Sequence, residues 1–353
     1  MQTMSYKQIT INDIAKRIGV SKTTVSRYLN GKFEYMSQDT KKRIEEAIAE
    51  TGYRPNRLAN SLKTDKSDLI GVVMSNIMAN QTPQLLGSIC STCTKHGKKI
   101  VVVNSEKNPE KEKQLAHNLI DQRVDGLLVI SGYNSEFYQE LDRDELPVVL
   151  ADRVPKNVDM DSVAINHKES TYRVVSHLLD EGYQRIAVFS RPHKNPYNTP
   201  AIRVAAAEKA CRDRFGNDAR CVKVVVSNDA DNTNSPDFDE TMAQLVRFYE
   251  ESFETPTAIF VAEASIMSSI ACSYYRAGIE LSHRFTIAGY SNDIIKRFFV
   301  PTICTIEQPL ERMGELAVER LLKRIEIDKA GEEEPVRESI LLSCLINMEQ
   351  KLD

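Results

Sequence analysis

The sequence predicts a small helix-turn-helix module followed by a two-lobed α/β body of parallel sheets. Three observations support this fold class. Two short amphipathic helices, joined by a turn that contains Gly19, lie near the N-terminus,. From residue 69 onward, short apolar strands alternate with amphipathic helices, a pattern typical of βαβ units. This alternation occurs in two successive series, and we therefore expect two similarly built lobes.

The first helix is indicated by apolar residues at positions i, i+3, i+4 and i+7, which are Ile11, Ile14, Ala15 and Ile18,. Gly19 ends this helix, and Ser21 is expected to cap a second one. In a helix-turn-helix, the start of the second helix enters the major groove of DNA. The residues there that are able to bond phosphates or base edges are Lys22, Thr23, Thr24 and Arg27,. An ordinary helical hairpin within an enzyme is the alternative interpretation.

A third helix and a basic segment follow the motif. Ser37 is expected to cap the third helix, and Gly52 suits its C-terminal end,. Pro55 suits the first turn of another short helix, in which Leu62 and Lys63 lie near the end,. This last helix has too few apolar residues to fold alone, so we expect it to become ordered only on a partner.

Charge divides the chain in the same place. Residues 1–66 contain 13 basic and 7 acidic residues, a net charge of +6. The whole chain has 46 basic and 50 acidic residues, so the remainder carries −10. A basic module on an acidic body is what electrostatic binding to DNA phosphates requires.

The body is predicted to contain strands over 69–74, 99–103, 126–130, 147–151, 185–189, 222–226, 258–261, 285–288 and 336–345,. Helices are predicted over 83–96, 109–122, 135–141, 169–182, 201–215, 237–253, 265–277 and 310–327,. Ligands of open α/β sheets bind at the carboxyl ends of the strands. The sequence therefore predicts a cleft lined by the loops that follow the strands.

Several classes of function are disfavoured by the sequence. It contains no phosphate-binding, dinucleotide-binding, nucleophile-elbow or zinc-protease motif, and its six histidines show no metal-ligand spacing,. We therefore expect no catalytic residues, no metal and no cofactor. Cys90 and Cys93 form a single C-x-x-C without a second pair, and half-buried helix positions are the better interpretation,. Seven scattered cysteines, with no recognisable export signal or membrane span, favour a cytoplasmic protein,.

With these motifs in place, the chain resembles the LacI/GalR family of bacterial transcription regulators over nearly its full length. Residues 11–30 and 52–62 carry the most specific part of the likeness. Further segments that resemble the family lie in the body, at 70–73, 123–127, 152–153, 287–290, 301–309 and 313–314. The resemblance implies a homodimer that binds double-stranded operator DNA. It also implies a core like that of periplasmic sugar-binding proteins, with a small effector between its lobes.

The resemblance assigns DNA contacts position by position. Lys22, Thr23 and Arg27 match the residues that read bases. Leu62 matches a leucine that wedges into the minor groove, and Lys63 beside it joins the candidate contacts,. Positions that hold phosphates or orient the module are matched by Ser21, Ser26, Asn30, Ser37, Thr40, Tyr53 and Asn56.

The resemblance also assigns effector contacts. Asp152 falls where the family has a cleft carboxylate, and Arg203 matches an arginine on the first helix of the second lobe. Ser291 and Gln308 match positions that line the cleft near the lobe crossover. The chain departs from the family at two places, where Gln81, Thr82 and Glu263 make the expected cleft more polar.

The implied organisation comprises a DNA-binding module (1–54), a hinge helix and linker (55–66) and an effector-binding core (67–353). Lobe 1 is expected to contain 67–163 and 292–327, and lobe 2 to contain 164–291 and 328–353. The implied function is repression of a carbohydrate-utilisation operon under control of a sugar-like effector. The alternatives are a regulator that depends on a corepressor or a partner protein and, more remotely, a solute-binding protein or an enzyme on the same core.

The class of effector is indicated by basic residues that are expected to crowd one side of the cleft, namely Arg191, His193, Lys194 and Arg203. Arginine pairs well with carboxylate and phosphate groups. A sugar acid or sugar phosphate is therefore our hypothesis, with a neutral sugar as the alternative. Residues 191–198 are also consistent with a solvated loop, since Pro192, Pro196 and Asn198 are ordinary turn residues,.

Overall fold

The computed structural model describes residues 9–29, 31–53, 67–79, 81–144, 146–154, 158–192, 198–216, 220–227, 236–279, 282, 284–291, 304–330 and 336–348. The chain divides into two compact units, Met1–Ser67 and Asp68–Asp353. The predicted helix after residue 54 lies outside the described residues. So do the predicted contact residues Asn30, Asn56, Leu62 and Lys63, as well as His193 and Lys194.

The N-terminal unit contains three α-helices, α1 (Ile11–Ile18), α2 (Lys22–Leu29) and α3 (Gln38–Thr51), with a 3₁₀ turn at Phe33–Tyr35. Local signals set the helix ends. Thr10 and Asp13 form a reciprocal capping box at the start of α1,. Gly19 and Gly52 end α1 and α3 in the left-handed conformation, with φ of 71° and 62°,.

One apolar cluster holds these helices together. Its fully buried members are Ile14 of α1, Val25 of α2 and Ile44 of α3. An ion pair between Arg17 and Glu50, with a nitrogen–oxygen distance of 2.6 Å, links α1 to α3 at the surface. The apolar stripe predicted for the first helix is therefore the face that α1 buries, and α2 keeps its other face exposed.

The second unit contains two six-stranded sheets. In the first sheet, the strand order is β11-β5-β4-β3-β1-β2, and all pairings are parallel. Its strands are β1 (Leu69–Met74), β2 (Lys99–Asn104), β3 (Gly126–Ile130), β4 (Val148–Asp152), β5 (Ser162–Ile165) and β11 (Ser339–Leu342). The central strands β3 and β4 are wholly buried, as expected for a parallel sheet covered on both faces,.

In the second sheet, the strand order is β12-β10-β9-β8-β6-β7, and the pairings are parallel except that β12 runs antiparallel to β10. Its strands are β6 (Arg185–Ser190), β7 (Cys221–Val225), β8 (Thr257–Val261), β9 (Phe285–Tyr290), β10 (Cys304–Glu307) and β12 (Leu345–Asn347). The helices of this unit are α4 (Thr82–Lys95), α5 (Pro109–Asp121), α6 (Ser135–Asp144), α7 (His167–Asp180), α8 (Thr199–Phe215), α9 (Pro236–Glu251), α10 (Ala264–Ala277) and α11 (Leu310–Ala330).

The structure corrects the predicted division into lobes. Residues 304–307, assigned to lobe 1, form β10 in the second sheet. The single strand predicted over 336–345 is two strands, and β11 pairs with β5 in the first sheet whereas β12 pairs with β10 in the second. The chain therefore passes from one lobe to the other near residues 166, 308 and 343. The helix predicted over 310–327 does belong to lobe 1, where α11 packs against α4 and β4.

Strands β5 and β10 were not predicted from the sequence. Each has only four residues and immediately precedes a crossover between the lobes. Their apolar runs are too short to give a periodic signal, and only pairing with neighbouring strands identifies them.

Candidate functional site

The exposed face of α2 carries the predicted base-reading residues. Ser21, Lys22, Thr23 and Arg27 are exposed, and Ser26 is half-buried. The Ser21 hydroxyl accepts a hydrogen bond of 3.1 Å from the backbone N–H of Thr24, which starts the helix,. Lys22 and Thr23 therefore lie in the first turn, where free backbone N–H groups favour anions such as phosphate.

Aromatic contacts hold the 31–36 loop against this surface. The Arg27 guanidinium lies over the ring of Tyr35, with its carbon 4.9 Å from the ring centroid. The ring of Phe33 makes an edge contact with Tyr28 and also lies beneath the Lys41 ammonium. Because stacking restricts the rotamers of Arg27, less side-chain entropy is lost when it binds a partner.

The remaining predicted residues of this unit have different environments. The exposed Ser37 caps α3, since its hydroxyl accepts a 3.2 Å bond from the N–H of Thr40 and lies 2.9 Å from the Thr40 hydroxyl. Tyr53 is buried in the apolar cluster, and burial raises the pKa of its phenol. Ser37 therefore lies at the exposed start of α3 together with Thr40, whereas Tyr53 is part of the apolar cluster.

A cleft of about 470 Å³ opens between the two lobes of the second unit, within the range of small-molecule sites,. Asp152 is the last residue of β4, and Lys107, Arg191 and Glu263 follow β2, β6 and β8. The carboxyl ends of both parallel sheets therefore face this cleft, as expected for open α/β sheets. Its lining consists of Asn76, Met78, Ala79, Gln81, Lys107, Asp152, Arg153, Arg191, Thr199, Pro200, Arg203, Glu263, Ala264, Ser265 and Gln308.

Of the seven predicted effector residues, five line the cleft: Gln81, Asp152, Arg203, Glu263 and Gln308. Thr82 and Ser291 are not among the residues that line it. Thr82 is buried and its hydroxyl donates to the carbonyl of Asn76. Ser291 is buried as well, where its backbone N–H bonds β10.

Arg203 is the most enclosed charged group of the cleft, with only 6% of its surface exposed. It projects from α8, which begins at the Asn198 cap. One terminal nitrogen donates to the carbonyl of Ala262 at 2.7 Å, and the other donates to Oε1 of Gln308 at 3.3 Å. The guanidinium carbon also lies 3.4 Å from the ring centroid of Tyr290. These contacts come from the ends of three strands, β8, β9 and β10, so they hold the guanidinium in one orientation.

Two buried residues, His167 and Tyr290, lie against the guanidinium of Arg203. Nδ1 of His167 lies 3.2 Å from a terminal nitrogen of the guanidinium. Burial, and secondarily the arginine charge, lower the pKa of His167 well below its usual value, so the imidazole is neutral and Nδ1 accepts the bond,. The Tyr290 hydroxyl donates to the His167 carbonyl at 3.2 Å. Sequence reasoning did not identify His167 or Tyr290 as part of this site.

Asp152 lies on the lobe 1 side of the cleft in an unusual conformation. Its φ of 66° is in the left-handed region, which is uncommon for residues other than glycine and often marks functional constraint,. Burial raises the pKa of its carboxyl, and the charges of Arg153 and Arg203 oppose that effect. The nearest described cation is Nε of Arg153, at 3.8 Å. A carboxylate so weakly paired is well suited to accept hydrogen bonds from a ligand.

Arg191 and Glu263 form a half-buried pair on the lobe 2 side. One terminal nitrogen of Arg191 lies 3.2 Å from Oε2 of Glu263 and 2.6 Å from the Ser265 hydroxyl. The backbone N–H of Arg191 donates to Oε1 of the same glutamate at 2.9 Å. This arrangement joins the loops after β6 and β8 and commits Glu263 to a partner within its own lobe.

Sequence reasoning missed several lining residues, among them Lys107, Arg153 and Met78. A signal for them was available, since each follows closely on a strand whose carboxyl end was expected to face the cleft,. The described residues contain no group of three histidine, cysteine or acidic side chains suited to a metal ion. None of the described helices is long and apolar enough to cross a membrane.

A helix-turn-helix unit joined to a two-lobed α/β domain with a polar interlobe cleft defines the class of DNA-binding transcription regulators with a small-molecule domain. Family comparisons agree. Residues 10–56 match the model described as bacterial regulatory proteins, lacI family, and residues 69–231 match periplasmic binding proteins and the sugar-binding domain of the LacI family. Residues 175–347 match a periplasmic binding protein-like domain. The chain belongs to the lacI family of bacterial regulatory proteins.

Individual relatives and structures agree with this membership. The chain is 31% identical to the HTH-type transcriptional regulator KdgR of Bacillus subtilis (strain 168), covering 91% of this chain and 93% of KdgR. It is also 31% identical to the HTH-type transcriptional repressor PurR of Edwardsiella ictaluri (strain 93-146), covering 90% of each chain. A lac repressor dimer bound to operator and the anti-inducer ONPF superimposes with a TM-score of 0.80 at 26% identity, covering 98% of this chain and 99% of that one. At the level of the family, the relatives are regulators of transcription and not enzymes.

Proposed function

We propose that the chain is a homodimeric repressor of a carbohydrate-utilisation operon and that a small sugar-like effector in the interlobe cleft sets its affinity for operator DNA. The observation that carries the proposal is the presence, in one chain, of an exposed recognition helix and a cleft lined by polar side chains from both lobes. The lac repressor structure, which is a dimer on its operator with a small ligand, supports the same combination.

The DNA-binding part of the proposal assigns base reading to Lys22, Thr23 and Arg27. Phosphate contact or orientation is assigned to Ser21, Ser26, Ser37, Thr40 and Tyr53. A single module of this size offers only a small interface, so two modules on a pseudo-palindromic site are needed for useful affinity. The domain boundaries at residues 54 and 66 belong to the same proposal.

The effector part assigns ligand contact to the five predicted residues that line the cleft, foremost Asp152 and Arg203. These two side chains belong to different lobes, so a ligand that contacts both favours one relative orientation of the lobes,. Coupling of about 1–3 kcal/mol between effector and operator is sufficient for a regulatory switch. A cytoplasmic location accompanies this proposal, since operator and metabolite are both met there.

The DNA-binding assignment is tested with Arg27→Ala, using an operator obtained by in vitro selection with the full chain. Fluorescence anisotropy at matched salt is expected to show a loss of about 1–3 kcal/mol for the selected site and a smaller difference between that site and a scrambled one. Lys42→Ala is the matched control, because Lys42 is exposed on α3 and its one ion pair among the described residues is with Glu46 of the same helix. Equal behaviour of the two variants would contradict the base-reading role of Arg27.

The regulatory assignment is tested by repeating the operator titration with any sugar that calorimetry shows to bind the chain. A lower operator affinity identifies the sugar as an inducer and a higher affinity identifies it as a corepressor, and both results support coupling. An operator affinity that stays unchanged at a saturating concentration of that sugar would contradict the proposed regulation.

A further inference from the structure

The cleft carries an excess of positive charge, and each lobe contributes to it. Lobe 1 supplies Lys107 and Arg153 against Asp152. Lobe 2 supplies Arg191 and Arg203 against Glu263. Both walls therefore have a net charge of +1 when all groups are ionised. Two like-charged walls repel each other across a cleft that is partly shielded from solvent.

The acidic residues do not neutralise the remaining cations. Glu263 is engaged by the side chain and the backbone of Arg191 and by no cation of the facing lobe among the described residues. Asp152 is buried, and its raised pKa shows that its ionised form is poorly stabilised. Lys107 is exposed at the cleft wall, and Arg153 keeps about a third of its side chain exposed, 3.8 Å from Asp152.

Arg203 adds an independent observation at the innermost part of the cleft. Its guanidinium is buried, and its described hydrogen-bond acceptors are an uncharged carbonyl, an uncharged amide and a neutral imidazole. No described carboxylate lies within ion-pair distance of it, so Asp152 and Glu263 act on its charge only from farther away, and its Nε has no hydrogen-bond partner among the described residues. A buried charge without a counterion in direct contact is costly, so an anion at this position would be favoured.

We propose that the effector is an anionic monosaccharide, a carbohydrate carrying a carboxylate or a phosphate, whose charge lies between the basic groups of the two lobes and draws the cleft closed. This inference rests on the proposed function and specifies the ligand of the same site. The hydroxyl groups of the sugar are donors for Asp152, while Met78, with 82% of its surface exposed at the cleft, offers an apolar surface to the ring carbons,. A neutral sugar satisfies these contacts but leaves the repulsion between the walls unchanged.

The test compares matched sugars by isothermal titration calorimetry on the full chain. The pairs are galactose with galacturonate, glucose with glucuronate and glucose with gluconate, and glucose 6-phosphate represents the phosphate class. At least one anion is expected to bind about tenfold or more tightly than its neutral partner, which corresponds to one charge-assisted hydrogen bond. Binding of galacturonate, glucuronate or gluconate identifies a carboxylate as the charged group, whereas binding of glucose 6-phosphate alone identifies a phosphate.

Charge variants test whether the preference for anions arises from the cleft. Lys107→Gln and Arg153→Gln are each expected to weaken the binding of the anion about two- to five-fold, because both charges are partly exposed to solvent. Both variants should weaken the binding of any neutral sugar less than they weaken the binding of its acid. Lys323→Gln is the matched control, because Lys323 is exposed on α11 and does not line the cleft.

Three results would overturn the inference: a neutral sugar that binds as tightly as its acid, no binding of any anion in the millimolar range, or anion binding that is insensitive to both cleft variants. Its failure is distinguishable from failure of the proposed function. A neutral sugar that shifts operator affinity would refute the anionic class and retain the regulatory role. An anion that binds the cleft without changing operator affinity would refute the regulatory role and retain the anionic class of ligand.

Discussion

Replacement of Asp161 by asparagine is expected to destabilise lobe 1 strongly. Asp161 is wholly buried just before β5 and accepts hydrogen bonds from Nε of Arg320 at 2.6 Å and from the backbone N–H of Glu338 at 2.9 Å. Its second oxygen lies 3.4 Å from Nε of Arg324 and 3.9 Å from a terminal nitrogen of Arg337. One carboxylate thereby joins α11 to the segment that leads into β11, after the chain has returned from the second lobe.

The magnitude follows from what the substitution leaves behind. Asparagine keeps the size of the side chain but removes its charge, and its amide N–H₂ group is directed at one of the arginines. Arg320 and Arg324 are 7% and 5% exposed, so their charges remain buried with fewer counterions. Removal of one partner from a buried ion pair costs about 3–5 kcal/mol. Asp142 still pairs with Arg324 and Arg337, which favours the lower part of that range.

The assay is urea unfolding followed by far-UV circular dichroism, since the chain has no tryptophan to report by fluorescence. Asp213→Asn is the matched control. Asp213 also accepts bonds from a cation and a hydroxyl, Lys209 and Tyr172, but on the exposed surface of α8, so its variant should unfold close to the wild-type midpoint. A loss below about 1 kcal/mol in Asp161→Asn would refute the reasoning, because a buried arginine pair cannot lose its carboxylate at so small a cost.

Three further predictions concern packing, pH and the N-terminal unit. Gly314→Ala should lower the free energy of unfolding by about 1–3 kcal/mol, because the new Cβ would lie 2.8 Å from Cβ and Oγ of Ser88 where α11 meets α4,. Gly87→Ala places its Cβ where nothing lies within 4 Å, so it should instead stabilise the protein in the same denaturation series,. Burial raises the folded-state pKa of Asp152, so its carboxyl contributes stability that is present below the unfolded-state pKa of about 3.9 and lost as pH rises through the folded value,. Relative to wild type, Asp152→Asn should therefore gain stability as pH rises above about 4, and a pH-independent difference in thermal midpoint would contradict this assignment. Thr10→Ala removes the cap of α1 and should destabilise the N-terminal unit by about 1 kcal/mol, measured by amide exchange in its helices, and unchanged exchange would show that the cap is dispensable,.

The elements of this protein were largely predictable because their signals are local. The turn of the N-terminal unit required a left-handed residue at Gly19, and the caps at Ser21 and Ser37 form hydrogen bonds only three residues away. Amphipathic periodicity predicted each long helix of the second unit to within a few residues,. These features depend on neighbours in sequence, so a single sequence contains the information that specifies them.

The partners of the elements were decided by tertiary structure. Nothing local distinguishes β11 from β12, which are two residues apart and belong to different sheets, because each is an edge strand whose identity depends on the partner beside it. The surroundings of Arg203 were likewise decided by tertiary structure. Its acceptors at Ala262 and Gln308 are 59 and 105 residues away, and the Tyr290 ring under its guanidinium comes from a third strand. Sequence and family likeness therefore indicated that this arginine faces a ligand. That no described carboxylate lies within ion-pair distance of it emerged only once the chain was folded, since burial and charge balance are properties of groups brought together from distant segments.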